Sequence, residues 1–502
     1  MVDISRVGTY AQRSVLVSQM LDIQTRLNET QTQVNTEKVS QTYSGIASQS
    51  FRLLNLENDA DRVDRFISLN QIALTKQQTM GTIVDSVDDR VAEFRSELLN
   101  LEIGTPSVPL TDEEQDKIDD IQARAFAALK DMEYFLNTEY DDSFLFSGGK
   151  TDTVPVNFGY SSLTELQAVY DGTNVRWPQS RDTALEATRI TDTLDFATGG
   201  TITDTSSGGA FIARTQTQAA GGNLTVDTTS NTLTAVNAST FDNYTVGSQI
   251  RIGGTGMAAA NEGYYTITAV STDGRTITLN DDPTLTTDET ITGNWTVSEL
   301  NFPLGPIEVT GAGANNQTYT VTDIALDGNT LTVSPAPNLT AAGVADVTIE
   351  PQSYYQGDGL IYQHRVDDNR SIELGITAKD PAFEKAIRGM GIIAQGDLAN
   401  NTQRIQEALD LLNDALDHNS NSAELSSDLE SLAETIGYNQ VTLNRAITDG
   451  QDYSSFLRTR AGEIEDADIT EAVVRLQDDA QALEVSYQAF ARITQLSLNN
   501  FI

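Results

Sequence analysis

Apolar side chains recur at alternating spacings of three and four residues at both ends of this 502-residue chain. That spacing places them along one side of a helix, so we predict one helix over residues 1–41 and another at the C-terminus. An apolar seam of this kind needs a partner helix to be stable in water, which indicates that the two ends pack against other helices. The apolar positions are Leu16, Met20, Ile23, Leu27 and Val34 at the start, and Ile469, Val473, Leu476, Ala480, Leu483, Tyr487 and Phe490 at the end.

Further helical patterns follow the first helix and precede the last. An apolar stripe without proline runs from Leu56 to Leu101 and predicts one long helix, since uncapped patterns beyond about 25 residues indicate a coiled coil or a rod. Thr111 and Glu114 have the residue types and spacing of a capping box, which predicts the start of the next helix. Asp380 and Pro381 are the residue types preferred at a helix N-cap and at the first helical position.

The middle of the chain has a different composition. Between about residues 185 and 350 it is rich in Thr, Gly, Asn and Val, and its polar and apolar residues alternate, which predicts β-strands. A weak repeat with an offset of 54 residues relates Asn261 to Asn315, Tyr265–Thr268 to Tyr319–Thr322, and Asp273-Gly274 to Asp327-Gly328. The Asp-Gly pairs predict hairpin turns that need a positive φ. We therefore predict two small β-modules in tandem.

The order of elements is nearly symmetrical about the β region, because helical patterns return after residue 378 and a second long stripe runs from Leu425 to Leu457. We predict a multidomain protein of mixed α and β class, in which a long antiparallel helical bundle or coiled coil from both termini carries an inserted all-β domain. The predicted parts are 1–42 with 466–502 as a terminal helical pair, 43–184 with 351–465 as a helical rod with β-hairpins, and 185–350 as the inserted β domain.

Composition excludes several classes of function. The chain has 31 basic and 72 acidic residues, and a net charge of −41 argues against nucleic acid as a partner, because phosphate binding needs clustered Lys and Arg. It contains no cysteine, which excludes disulfides, thiolate metal sites and a cysteine nucleophile. No apolar run reaches the roughly 18 residues of a membrane span, so we expect no membrane insertion. The first residues lack the layout of a cleavable signal peptide, and we expect a cytoplasmic protein or export by another route.

No candidate catalytic, cofactor-binding or metal-binding residue emerges, and we predict that the protein is not an enzyme and has no cofactor. The acidic pairs Asp141-Asp142, Asp281-Asp282 and Asp478-Asp479 lack the spacing of a calcium loop, so we interpret them as solvated surface. His364 and His418 each lack neighbours that would indicate a metal site or a catalytic site. We interpret Gly253–Gly256 as a turn between strands, because no Gly-Lys-Ser/Thr follows it.

Three segments resemble the bacterial flagellin family of axial proteins, and the resemblance covers roughly residues 1–150 and 351–502. Phe144–Gly149, Phe-Leu-Phe-Ser-Gly-Gly, resembles the turn that closes the N-terminal helical part of the family. Ile464–Ala472 resembles the linker into the last helix, and Tyr487–Ile502 resembles the family's C-terminus. That C-terminus is more similar to the members at the hook–filament junction than to the filament subunit. The chain also lacks the Leu-Ser-Ser-Gly and Asp-Asp-Ala-Ala-Gly pattern that flagellins usually carry near residue 40.

The resemblance implies a structural subunit that polymerises through its terminal helices, most specifically at the hook–filament junction. It implies an inner tube of terminal helices and an outward β insert. It further implies an extracellular location after export through the flagellar type III apparatus, without a cleaved signal and with the help of a chaperone. The implied partners are copies of the chain, hook-associated protein 1 and flagellin. We expect the assembly interface to contain Leu16, Met20, Ile23, Leu27, Leu476, Leu483, Tyr487, Phe490, Ile493 and Leu496.

Two alternatives remain open from the sequence. The chain could be the major filament flagellin, which would differ in copy number along the filament. It could also be a surface adhesin or fibre protein, in which the Thr-rich β-modules bind a target.

Overall fold

The structure, a computed structural model, describes residues 3–101, 111–186, 188–206, 209–280, 283–302, 304–401 and 403–499. The chain divides into two compact units. Unit 1 contains residues 1–74, 365–371 and 441–502, and unit 2 contains residues 75–364 and 372–440.

The predicted mixed α and β class is confirmed. The helices are α1 (Asp3–Thr36), α2 (Ser50–Leu99), α3 (Asp112–Leu136), α4 (Leu163–Val169), α5 (Arg181–Leu185), α6 (Gln218–Gly221), α7 (Pro381–Ala394), α8 (Gln403–Leu416), α9 (Leu429–Glu465) and α10 (Ile469–Asn499). The strands before residue 260 are β1 (Glu139–Tyr140), β2 (Ser143–Phe144), β3 (Ile190–Ala197), β4 (Thr201–Asp204), β5 (Ile212–Thr217), β6 (Leu224–Asp227), β7 (Thr232–Ala235) and β8 (Gln249–Gly253). The later strands are β9 (Gly263–Val270), β10 (Thr276–Leu279), β11 (Glu289–Ile291), β12 (Thr296–Leu300), β13 (Gly305–Thr310), β14 (Gln317–Ile324), β15 (Thr330–Ser334), β16 (Ala341–Pro351), β17 (Gln363–Arg365) and β18 (Ser371–Glu373).

Local sequence explains where α3 and α7 begin. The Glu114 amide donates to the Thr111 hydroxyl at 3.3 Å, and the Thr111 amide donates to the Glu114 carboxylate at 2.8 Å. This confirms the capping box. At α7 the Ala382 amide donates to Oδ1 of Asp380 at 3.0 Å, and Pro381 takes the first helical position, as predicted.

The turn after β2 requires glycine. Gly148 has a φ of +71°, and a Cβ atom at this position would lie 2.4 Å from a carboxylate oxygen of Asp358. The adjacent Gly149 amide donates to the same Asp358 side chain at 2.6 Å. The turn expected at Phe144–Gly149 is therefore present, and it binds the segment that follows β16. Of this stretch only Phe144 lies in a strand, because β2 ends there.

Two β-modules make up the insert. The outer module contains β3, β4 and β13–β16, which close into a barrel in the order β13-β14-β15-β4-β3-β16. The inner module, residues 212–300, forms an eight-stranded sheet in the order β11-β6-β7-β10-β9-β8-β12-β5. The 54-residue offset relates β9 to β14 and β10 to β15. With these equivalences, the order β8-β9-β10-β7-β6-β11 in the inner sheet matches the order β13-β14-β15-β4-β3-β16 in the barrel.

The modules are nested, which differs from the predicted tandem arrangement. The chain enters the inner module after β4 and returns to the outer module at β13. Entry and exit are adjacent, because β5 and β12 pair antiparallel with Ile212 opposite Leu300. The inner module is therefore joined to the outer module through two adjacent strands at the edge of its sheet.

The repeated Asn and Tyr residues have the same structural role in both modules. The Tyr265 hydroxyl donates to the Asn261 carbonyl at 3.0 Å, and the Tyr319 hydroxyl donates to the Asn315 carbonyl at 2.9 Å. Each Asn is buried and its amide oxygen accepts from a backbone amide more than 20 residues later. The predicted positive φ occurs at both hairpin turns, +61° at Gly274 and +68° at the equivalent glycine.

Unit 2 contains two separate hydrophobic cores. The larger core joins the second half of α2, α3, α7 and α8 with the interior of the outer module. The smaller core is confined to residues 224–297 of the inner module. The outer module thus shares its core with the helices of unit 2, whereas the inner module has a core of its own.

Candidate assembly interface

Helices α1 and α10 of unit 1 pack against each other in antiparallel orientation. The Arg26 guanidinium lies 3.0 Å from the Asp479 carboxylate, and Lys38 forms an ion pair with Glu465. The Val39 amide donates to the Glu465 carbonyl at 2.7 Å. Arg26 within α1 pairs with Asp479 within α10, and the residues just after α1 pair with Glu465, just before α10. The start of α1 and the end of α10 therefore lie at the same end of the pair.

The pair does not bury its own apolar stripes. The predicted interface residues Leu16, Met20, Ile23, Leu27, Leu476, Leu483, Phe490 and Ile493 are all half-buried, and Tyr487 is 49% exposed. Among the described side chains of the two helices, only Thr30 and Ala472 are buried. The Leu496 side chain lies outside the described part of the structure. Two helices alone thus leave much of the seam in contact with water.

Exposed apolar side chains are concentrated in unit 1. Of the 27 large apolar side chains that are exposed in the described part of the chain, 16 belong to unit 1, although this unit has 143 of the 502 residues. On α1 the exposed Val17 and Leu21 are four residues apart and share a face, and on α10 Val474 and Val485 are three turns apart. Apolar residues that recur on one face of a helix are candidates for packing against another helix.

The rest of unit 1 is a close-packed helix pair with a hairpin beside it. At Gly450 of α9 an added Cβ would lie 3.0 Å from Ile67 of α2, so the two helices approach closely there. The Ser454 hydroxyl donates to Asp64 at 2.7 Å, and hydrogen bonds from Ser454 and Arg458 hold the pKa of Asp64 below its usual range. The tip of the β17–β18 hairpin joins this pair, since Asn70 donates to the Val366 carbonyl at 3.0 Å.

An aromatic pair on α9 was not singled out by the sequence analysis. The rings of Tyr453 and Phe456 stack with their centroids 6.4 Å apart, and the Arg460 guanidinium lies 5.4 Å from the Phe456 centroid. Both rings are about half exposed. The sequence signal for this pair was a second set of apolar residues on α9, on the helix face that the apolar stripe does not occupy.

The negative charge lies mostly in unit 2. Unit 1 carries 14 basic and 20 acidic residues, a net charge of −6 in 143 residues, whereas unit 2 carries 17 and 52, a net charge of −35 in 359 residues. Like charge opposes close approach of identical chains. Unit 1, which exposes more apolar surface and has less charge, is therefore the unit better suited to contacts between copies.

The residues considered for chemistry have structural roles where they are described. Asp141 and Asp142 form the turn between β1 and β2, with φ values of +53° and +55°. Asp479 pairs with Arg26, and His418 contacts Asp414 at 3.1 Å. Burial lowers the pKa of His364. The pair Asp281-Asp282 lies outside the described residues.

Gly253–Gly256 connects β8 to β9, as the turn prediction required. Within the described ranges, no group of three or more His, Asp or Glu side chains could hold a metal ion. No helix in that part of the chain is both long enough and apolar enough to span a membrane.

Solved structures similar to this chain belong to flagellar proteins. A protein of Vibrio parahaemolyticus assigned as a flagellar hook-associated protein is 11% identical, with a TM-score of 0.37 over 84% of this chain and all of that one. Flagellar hook-associated protein 3 of Legionella pneumophila is 13% identical, with a TM-score of 0.32 over 82% and 98% of the two chains. FlgL of Xanthomonas campestris is 11% identical, with a TM-score of 0.25 over 80% and 96%.

No family model and no curated protein sequence matches the chain.

Proposed function

We propose that this chain is a structural subunit of the bacterial flagellum that polymerises through its terminal helices. The observation that carries the proposal is the half-buried apolar seam of α1 and α10, whose hydrophobic side chains lack enough cover within one chain. Burying apolar surface contributes about 25 cal/mol per Å², so contacts with neighbouring copies would stabilise these helices. The low charge of unit 1 supports the same conclusion, since it reduces repulsion between copies.

We further propose a position at the hook–filament junction, the role of hook-associated protein 3. The support is the C-terminal segment Tyr487–Ile502, together with the absence of the filament pattern near residue 40. The proposed partners are copies of the chain, hook-associated protein 1, flagellin, the type III export apparatus and a chaperone. The division into terminal pair (1–42 with 466–502), helical part (43–184 with 351–465) and insert (185–350) belongs to this proposal, as does the absence of enzymatic activity.

The proposed interface is tested by Leu483→Asp, which places a charge in the half-buried seam. Electron microscopy and sedimentation should show loss of polymerisation, while the circular dichroism of unit 2 is unchanged. The matched control is Leu339→Asp, because Leu339 is 56% exposed in the outer module and outside the seam. Normal polymerisation of Leu483→Asp, or equal loss in the control, would contradict the proposal.

The junction position is tested separately by immunogold labelling of intact flagella. A short labelled zone at the filament base supports the junction role, and label along the whole filament indicates the main flagellin instead. Label elsewhere on the cell surface would favour the adhesin or fibre alternative. For that alternative the inner module is the natural candidate, because it has its own core and both of its ends lie on two adjacent strands.

A further inference from the structure

A small pocket in unit 2 lies where the loop after β2, the segment after β16 and the start of β13 meet. Its volume is about 140 Å³. The loop and the segment are joined by backbone hydrogen bonds, from the Asn157 amide to the Tyr354 carbonyl and from the Gln356 amide to the Pro155 carbonyl, both at 2.9 Å. The walls are therefore fixed by main-chain contacts. The residues that line the pocket and are used below are Asn157, Phe158, Tyr160, Trp177, Gln352 and Gln356.

Five aromatic rings form a continuous chain beneath this pocket. The centroid distances are 5.9 Å from Tyr354 to Phe158, 6.3 Å from Phe158 to Trp177, 5.0 Å from Trp177 to Tyr170 and 6.0 Å from Tyr170 to Tyr160. Four of the five side chains are buried, and Tyr160 is half-buried. Aromatic pairs at these distances stabilise one another, so the rings form a rigid layer of which only a small part is exposed to the pocket.

Amide side chains surround the mouth. Asn157, Gln352 and Gln356 are all exposed. Gln352 donates to the Thr318 hydroxyl at 3.2 Å and Gln356 to the Ser353 carbonyl at 2.6 Å, which orients both amides and leaves their oxygens without a donor among the described residues. Trp177, a side chain only 7% exposed, also lines the pocket. A ligand hydroxyl can donate to either of the two glutamine amide oxygens.

The pocket favours an uncharged ligand. No Asp, Glu, Lys, Arg or His lines it. Its phenols are neutral at physiological pH, since burial raises the pKa of Tyr160 to about 12 despite a hydrogen bond with Tyr170. A charged ligand would have to give up its hydration here without meeting an opposite charge, which is unfavourable.

We propose that this pocket binds one uncharged, hydroxylated six-membered ring of the pyranose sugar type. A cavity of about 150 Å³ holds one benzene ring, so the pocket volume fits a single ring. The C–H groups of a pyranose match the parts of the aromatic rings that line the pocket, and its hydroxyls match the amide oxygens of Gln352 and Gln356. The ring could be a free monosaccharide or one unit of a polysaccharide.

Tryptophan fluorescence of the full chain tests the proposal, because the chain contains only two tryptophans. Trp295 is buried in the inner module with its indole N–H bonded to the Gly222 carbonyl at 2.9 Å, so Trp177 is the expected reporter. Titration with N-acetylglucosamine, methyl glucopyranoside and methyl galactopyranoside should give a saturable change for at least one of them. The double variant Gln352→Ala with Gln356→Ala should shift the midpoint at least tenfold.

The control variant is Gln406→Ala, an exposed glutamine on α8 outside the pocket, which should leave the midpoint unchanged. No saturable change with any of the three sugars would overturn the proposal. An unchanged titration midpoint in the double variant would also overturn the proposal. The same holds for a titration midpoint with glucuronate equal to that of the neutral sugars. A further titration with chitotetraose or a cello-oligosaccharide distinguishes a polysaccharide unit from a free monosaccharide. A midpoint at least tenfold lower than that of the monosaccharide supports a polysaccharide unit, and an equal midpoint supports the free sugar.

Discussion

The ammonium nitrogen of Lys385 lies 2.8 Å from a carboxylate oxygen of Asp414, and the two side chains are 0% and 5% exposed. Lys385 also donates to the Asp414 carbonyl at 2.7 Å and thereby joins α7 to the end of α8. The Asn419 amide donates to the other Asp414 oxygen at 2.9 Å. One buried pair thus fixes α7, α8 and the turn that leads to α9.

Replacing Asp414 with Asn should destabilise unit 2. The variant leaves the Lys385 ammonium buried without its counter-charge, and breaking such a pair costs about 3–5 kcal/mol. Urea denaturation followed by Trp177 fluorescence measures the free energy of unfolding. The control is Asp417→Asn, three residues further along at an exposed position, which should change this free energy by less than about 0.5 kcal/mol. Equal losses in the two variants would contradict the role given to the pair.

The same pair should make unit 2 sensitive to acid. Burial by itself would raise the pKa of Asp414, but hydrogen bonds from Lys385, the Asn419 amide and His418 hold it below the usual range. The carboxylate therefore stabilises the fold above the unfolded pKa of about 3.9, and this contribution is lost as pH falls through the lower folded pKa. The difference in unfolding free energy between the wild type and Asp414→Asn should be constant from pH 7 to 5 and shrink below about pH 4. A difference that stays constant down to pH 3 would refute this.

Removing the inner module should leave the rest of unit 2 folded. Joining Ile212 to Leu300 through an Asn-Gly turn keeps this one residue pair of β5 and β12 and deletes the inner core. The deletion also removes the hydrogen bond from Tyr264 to Asp323, 2.6 Å long, between the modules. Circular dichroism should retain the full helical signal, and polymerisation should persist if the terminal helices drive it. Deleting residues 190–350 instead should unfold unit 2, because the outer module shares its core with the helices.

The two equivalent asparagines should affect different parts of the chain. Asn315→Ala removes a buried side chain that binds the Leu339 amide and carbonyl at 2.9 and 3.0 Å. Losing the two hydrogen bonds costs about 1–3 kcal/mol. Hydrogen exchange should increase throughout the outer module and the helices that share its core. Asn261→Ala should increase exchange in the inner module alone, and uniform exchange in both variants would argue against separate cores.

Exposed apolar residues of the terminal pair should matter for assembly and not for the monomer. Leu21 is 57% exposed on α1 and Val485 is 59% exposed on α10. Replacing both with Ser removes little buried area within one chain, so the melting temperature of the monomer should stay within about 2 °C. The critical concentration for polymerisation should rise at least tenfold in light-scattering assays. An unchanged critical concentration would show that copies meet through other faces.

Sequence by itself determined the elements whose signals are local. Apolar periodicity gave the long helices, Thr111 and Asp380 fixed two helix starts, and the Asp-Gly pairs fixed two hairpins. These predictions succeed because caps and turns depend on residues within four positions of one another. The half-buried seam was also indicated, since alternating spacings of three and four place its side chains on one face.

Tertiary structure alone decided the nesting of the β-modules and the composition of the pocket. The barrel pairs β4 with β15, more than 120 residues apart, and the inner strands lie between them in the chain. The pocket combines Phe158, Trp177 and Tyr354, which come from separate segments. Strand pairing between distant segments uses backbone groups that every residue has, and ring contacts depend on how elements pack. Neither leaves a periodic trace in the sequence, which is why the repeat was visible and its connectivity was not.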